Sequence, residues 1–161
     1  MGLVVPREAF AALRDSLETA TIVFTNGCFD LLHPGHLALL KHAAALGDAL
    51  VVGLNSDASV RRLKGPERPV LGQQQRAEML AALPCVAFVI IYDETQATAT
   101  IEAVRPHIYV KGGDYRPEEI PEVPTVEALG GEVVLVAHVP DRSTTRIIND
   151  VKARTTGPDG S

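Results

Sequence analysis

Tryptophan is missing from this chain of 161 residues, and the only other large aromatics are four phenylalanines and three tyrosines. The core must therefore be aliphatic, filled by Val, Leu, Ile and Ala. A hydrophobic share of 46% against 22% charged residues gives enough apolar surface for one packed domain. Cysteine is almost as scarce. Cys28 and Cys85 cannot make a disulfide framework, and neither has His or Cys neighbours at zinc spacing, so both read as free thiols in a reducing compartment. No run approaches ~18 consecutive apolar residues, so no membrane-spanning helix is expected. The first residues lack the basic start and apolar centre of a signal peptide, and a cytoplasmic location is the expectation by elimination. Positive charge is not in excess either. A net charge of −5 disfavours a nucleic-acid surface and still allows a local cationic pocket for a nucleotide.

What the chain does have is one information-rich stretch. The β-branched, apolar run Thr21-Ile22-Val23-Phe24 reads as a buried strand, and Leu37 to Leu46 reads as a helix. Between them lies Thr25-Asn26-Gly27-Cys28-Phe29-Asp30-Leu31-Leu32-His33-Pro34-Gly35-His36. A strand, a glycine-containing loop and a helix start bring backbone N–H groups and the positive helix end to one point, which suits phosphate. Gly35 lets a ligand approach the backbone, and the imidazoles of His33 and His36 can face the same anion. This stretch resembles the signature of the cytidylyltransferase-like nucleotidyltransferases. That superfamily attacks the α-phosphate of a nucleoside triphosphate and expels pyrophosphate, and its His-x-Gly-His element contacts the triphosphate.

The remaining chain alternates. Helices are expected over 6–17, 37–46, 58–63, 72–83, 94–104 and, partly, 118–129, with a last one from Ser143 to about Lys152. Strands are expected over 21–24, 49–54, 86–91, 108–110 and 132–136. The pattern predicts an α/β fold, a Rossmann-like open parallel five-stranded sheet with helices on both faces. One nucleotidyltransferase domain over 1–153, opened by a helix within 1–20, and a flexible tail over 154–161 are the expected organisation. The polar clusters at 26–36, 55–57, 111–115 and 141–145 all follow strands, the end at which such sheets bind ligands.

The chemistry that fits is nucleotidyl transfer from ATP to a sugar phosphate. A phosphate nucleophile is anionic at pH 7 and needs no general base. Positive charge and oriented donors are what such a reaction lacks in water. His33 and His36 are expected to donate to the phosphates, and phosphate charge would favour their protonated form. Lys64, on a loop of two prolines and three charged residues, is expected to reach a phosphate. Arg76 and Asp30 are assigned to the acceptor phosphate, Asp30 by orienting a donor or by holding Mg²⁺, the first being favoured. Arg61, Arg62 and Arg68 add positive charge to the same stretch. Asn26, Gly27, Cys28, Phe29 and Gly35 form the nucleotide loop, Cys28 as a small packing residue. Lys111, Gly112 and Asp114 would meet the nucleoside, with Asp114 accepting from ribose hydroxyls. Ser143, Thr144 and Thr145 open a helix and make a second anion site. No direct metal ligand is assigned.

From about Thr21 to Lys152 the resemblance extends to the ADP-heptose-forming adenylyltransferases. Its segments are 26–36, Gly53 to Gly65, Val110 to Tyr115 and Ser143 to Ile148. The resemblance implies ATP as substrate with Mg²⁺ carried by its triphosphate. It implies D-glycero-β-D-manno-heptose 1-phosphate as acceptor, and a homodimer as assembly. The histidines and the Ser-Thr helix start would hold the triphosphate, Lys64 would assist transfer, and Lys111 to Asp114 would lie by the nucleoside. Neither a membrane nor a nucleic acid is an expected partner. The kinase half of the bifunctional heptose enzymes has no counterpart in this sequence, so the sugar 1-phosphate is expected from elsewhere. Gln73-Gln74-Gln75 departs from the more acidic stretch usual in that family. A cytidylyltransferase for glycerol 3-phosphate or a similar polyol phosphate is the alternative enzyme, and a non-catalytic nucleotide-binding regulator is the alternative of another class.

Overall fold

A computed structural model describes residues 2–137. Six strands form one parallel sheet: β1 (Leu3–Val4), β2 (Ile22–Gly27), β3 (Ala49–Asn55), β4 (Phe88–Tyr92), β5 (Ile108–Gly112) and β6 (Glu132–Val136), in the order β1-β4-β3-β2-β5-β6. The helices are α1 (Arg7–Arg14), α2 (Pro34–Ala44), α3 (Asp57–Lys64), α4 (Gln73–Ala81), α5 (Thr98–Val104) and α6 (Val123–Ala128). The five expected strands are present. The sixth, β1, pairs Leu3 with Phe88 and Val4 with Val89 at the sheet edge. Two residues ahead of Pro6 are too short a run to show any alternation, so the sequence gives no sign of it.

Side-chain alternation along β2 sorts the core into two layers. Ile22 and Phe24 pack with Phe10 of α1, Ile101 of α5 and Val126 of α6. Val23, between them, points to the other face, where Leu40 of α2 and Leu80 of α4 lie. Both faces of the central strands are thus covered, which is why they read as continuous apolar runs. The chain moves outward from β2 through β3 to β4, then crosses back to β5 and on to β6. The direction of winding reverses between β2 and β5, and the carboxyl ends of these two strands open a crevice there. Among the described residues no helix is long and apolar enough to cross a membrane.

Helix α2 begins at Pro34, three residues before the expected start, which puts His36 in its first turn. Proline at the first helical position fits, because its fixed φ matches the helix and its missing N–H is not needed there. Helix α5 begins at Thr98 rather than near Glu94. The residues before it are held otherwise: the Glu94 carbonyl accepts from Ser59 Oγ and the Ala97 N–H donates to the buried Glu122.

Candidate active site

A cavity of about 900 Å³ occupies the crevice at the carboxyl ends of β2, β3, β4 and β5. Asn26, Gly27, Cys28, Phe29, Asp30, His33, Gly35, His36, Lys64, Lys111, Gly112 and Asp114 all line it, as do Arg68, Asn55, Tyr92 and Glu122. The cavity thus brings most of the sequence candidates together. Ser143, Thr144 and Thr145 lie outside the described residues.

The histidine pair stands at the mouth of α2. His33 is the N-cap residue, and its Nδ1 accepts from the backbone N–H of Gly35 at 3.1 Å and of His36 at 3.4 Å. The ring proton of His33 therefore sits on Nε2, as a donor. This arrangement alters the expected anion site. Two of the helix-start N–H groups are already bonded to His33, so an incoming phosphate meets imidazole N–H groups and the helix dipole. The two rings stack with centroids 3.7 Å apart and planes inclined at 24°.

The His36 ring is further enclosed by Phe29, edge-on at 5.2 Å. Phe29 takes a left-handed backbone, φ 44, which costs a non-glycine residue of order 1–3 kcal/mol. That conformation lets the Phe29 ring tuck inward, 5% exposed, beneath His36. Phe29 thus serves the site through the imidazole it supports. Burial, the neighbouring His33 and then Lys64 push His36 down to about 4, with the Leu31 backbone acting the other way. Its Nδ1 is buried without a hydrogen-bond partner. His36 is consequently neutral at pH 7, and a neighbouring anion is what would reverse this.

Lys64 closes α3, is exposed, and has no ion-pair partner among the described residues. On the far side of β2, Lys111 lies 5.8 Å from the centroid of the Tyr115 ring. The glycines beside it serve the chain's own packing. A Cβ on Gly113, whose φ is +122, would sit 2.7 Å from the Tyr115 ring, and one on Gly112 would meet Leu39 at 3.1 Å. Burial raises the Cys28 thiol above its ordinary value, against the pull of Lys64, Arg76 and Arg68, which disfavours the thiolate a nucleophile would need.

Two expected acceptor-phosphate residues have other work. Arg76 is 1% exposed and does not line the cavity. Its guanidinium donates to the carbonyls of Leu71, Cys28 and Asn55 and to Asp57 Oδ1, at 2.7 to 2.9 Å. It ties the ends of β2 and β3 to α4 from behind the cavity wall, and is corrected from a phosphate ligand to a strut. Asp30, 1% exposed, accepts from Val70 N, Leu71 N and Arg68 Nε, at 2.9 to 3.0 Å. These bonds outweigh burial and hold its carboxyl below the usual carboxylate range. Asp30 orients a donor, and its oxygens are not available to a phosphate or a metal ion.

The sequence reading passed over a chain of hydrogen bonds along the sheet rim. Tyr109 Oη donates to Asn26 Oδ1 at 2.6 Å, and Asn26 Nδ2 to Tyr92 Oη at 2.9 Å. Tyr92 Oη donates to Asn55 Oδ1 at 3.0 Å, and Asn55 Nδ2 to Ser59 Oγ at 2.8 Å. Four strands and α3 are thereby locked in register at the cavity floor. Burial raises both tyrosine hydroxyls above their ordinary values, and Glu122 adds to that rise in each. Asn55 and Tyr92, which close the otherwise apolar β3 and β4, were the available signal, whereas Asn26 and Tyr109 lie within their strands.

Comparison with known proteins gives the family and the fold. The family model described as cytidylyltransferase-like matches residues 24–150. Two curated relatives, each named bifunctional protein HldE, are 53% identical to this chain. The one from Syntrophotalea carbinolica aligns over 89% of this chain and 30% of its own length, and that from Azorhizobium caulinodans over 96% and 32%. The chain thus spans about a third of the length of these relatives. A solved structure titled as a lipopolysaccharide core biosynthesis protein, from Thermoplasma volcanium, is 30% identical. It superposes with a TM-score of 0.62 over 74% of this chain and 97% of its own. Pantoate–β-alanine ligase from Francisella tularensis shares only the fold, at 16% identity and a TM-score of 0.60 over 92% of this chain and 73% of its own. With its histidine pair, its rim cavity and these matches, the chain belongs to the cytidylyltransferase-like family and is a nucleotidyltransferase domain.

Proposed function

We propose that the chain transfers AMP from ATP to a sugar 1-phosphate, with D-glycero-β-D-manno-heptose 1-phosphate as acceptor, releasing ADP-heptose and pyrophosphate. The observation that carries this is the stacked His33–His36 pair at the α2 entrance, in a cavity with Lys64 on one side of β2 and Lys111 on the other. The HldE relatives and the resemblance noted in the sequence support the acceptor.

An acceptor phosphate oxygen forms a bond to the α-phosphorus as the bond from that phosphorus to the β-phosphate oxygen breaks. No proton has to leave the nucleophile. Charge grows on the α-phosphate oxygens and on the departing pyrophosphate. His33 offers Nε2–H, and His36, protonated as the triphosphate arrives, adds a charged donor. Lys64 counters the repulsion between the two substrates. Lys111, Gly112 and Asp114 hold the nucleoside. Mg²⁺, when bound, lowers triphosphate charge. The fully bonded Asp30 offers it no oxygen, so the triphosphate itself would hold it. A cytoplasmic homodimer is the setting and assembly we propose.

The test is pyrophosphate release from ATP, CTP, GTP and UTP against a panel of sugar and polyol phosphates. Release with ATP and heptose 1-phosphate supports the reading. Preference for CTP with glycerol 3-phosphate would transfer the assignment to a cytidylyltransferase, and nucleotide binding with no release across the panel to a regulator.

A further inference from the structure

The reaction brings two anions together, and the histidine pair accounts for one of them. The loop 65–72, between α3 and α4, supplies a group for the other. Asp30 at its back is fully buried and held by two backbone N–H groups and by Arg68 Nε. A carboxylate in a phosphate-binding cavity would ordinarily repel the substrate. Here it is neutralised in place, and what it presents to the cavity is a guanidinium with its stem fixed.

Arg68 lines the cavity with its side chain only 12% exposed, and its Nη2 is buried without a hydrogen-bond partner. A buried donor left unpaired costs on the order of 1–3 kcal/mol, so a wall group of this kind is suited to a ligand oxygen that completes it. The planar fork of a guanidinium fits a phosphate through two parallel bonds, which an ammonium cannot provide. Its position also separates it from the segment assigned to the nucleoside. The loop lies on the β3 and β4 side of β2, with Lys64 at its start, whereas Lys111 to Tyr115 extend from β5 on the other side. The Cys28 thiol, after β2, lies within electrostatic reach of both Lys64 and Arg68.

We propose that Arg68, aimed by the positioning residue Asp30, binds the phosphate of the acceptor, with Lys64 beside it. The assignment rests on the transferase reading above. Arg68 would grip the phosphate oxygens that do not attack and so point the remaining one at the α-phosphorus.

The test is binding of heptose 1-phosphate to protein saturated with α,β-methylene-ATP, by calorimetry, for the unaltered chain and for Arg68→Lys, Arg68→Gln and Asp30→Asn. Both Arg68 variants are expected to weaken heptose 1-phosphate binding by about 10- to 100-fold, the loss of a charge-assisted fork. Affinity for the ATP analogue should stay within about twofold, since its triphosphate is assigned to the histidine pair and its nucleoside to the β5 side of β2. Asp30→Asn should give an intermediate loss in the same direction, because Arg68 keeps its charge and loses its aim. Equal weakening of both ligands, unchanged heptose 1-phosphate affinity, or no heptose 1-phosphate binding by the unaltered chain would overturn the proposal. Should the unaltered chain bind heptose 1-phosphate, with the loss confined to Arg68, yet release no pyrophosphate from ATP, the transferase reading fails and the phosphate site stands.

Discussion

The imidazoles of His33 and His36 stack with their centroids 3.7 Å apart. This contact follows from the local sequence. His33 caps α2 through its own Nδ1, Pro34 starts the helix, and His36 falls one turn on, over the capping ring. Two imidazolium rings at that separation would repel, so the ligand-free site stays uncharged at His36 and acquires charge with its anion.

Nucleotide binding should therefore take up protons. Burial, His33 and Lys64 hold His36 down to about 4. A bound triphosphate raises that value, so affinity for α,β-methylene-ATP should rise as pH falls toward 4 from the raised, bound-state value. Calorimetry in buffers of different ionisation enthalpy at pH 5.5 reads the uptake directly. His36→Asn should abolish it. Binding with no proton uptake in the unaltered chain would contradict the picture.

The same group sets an acid limit on stability. His36 takes up its proton near 6.5 when unfolded and near 4 when folded, so the unfolded state binds more protons between those values. Stability should fall as pH drops through that window. Asp30, lowered when folded, acts in the same direction, and its contribution is lost as pH falls through its folded value, below the usual carboxylate range. Thermal melts from pH 7 to 4 should show a shallower decline for His36→Asn than for the unaltered chain.

Arg76 should behave as a strut. Arg76→Ala leaves the buried Asn55 carbonyl, the partly buried carbonyls of Leu71 and Cys28 and the partly buried Asp57 without their donor. A loss of ~3–5 kcal/mol of unfolding free energy is expected, read by chemical denaturation. A variant that melts normally and has lost only acceptor affinity would return Arg76 to the phosphate.

The rim chain makes a separate prediction. Tyr92→Phe removes the acceptor of Asn26 Nδ2 and the donor to Asn55 Oδ1 in one step. About 1–3 kcal/mol of stability should be lost. The register of β2 against β3 and β4 at the cavity floor should loosen as well, visible as faster amide exchange at Asn26 and Asn55. Unchanged exchange at both would show that the chain does not hold the floor.

How much of this was legible in the sequence depended on how local the cause was. The strands facing both layers and the two histidines at a helix entrance follow from nearby residues, and they could be read. Arg76 could not, because its partners come from the ends of two strands and its burial is a tertiary fact. Asp30 was legible only as a choice between orienting a donor and holding a metal, since its partner Arg68 lies 38 residues later. Tyr92 closes an apolar strand and gave no sign that its hydroxyl joins Asn26 to Asn55. Strand β1 exists because β4 offers it an open edge, which no two-residue pattern can announce.

The most direct measurement is turnover of ATP and heptose 1-phosphate by His36→Asn, followed as pyrophosphate release. An oriented donor needed at the developing charge is worth about 10²- to 10³-fold in kcat, and a loss of that size is expected with the melting temperature at pH 7 little changed. Turnover within a few-fold of the unaltered chain, in a folded His36→Asn protein, would contradict the account.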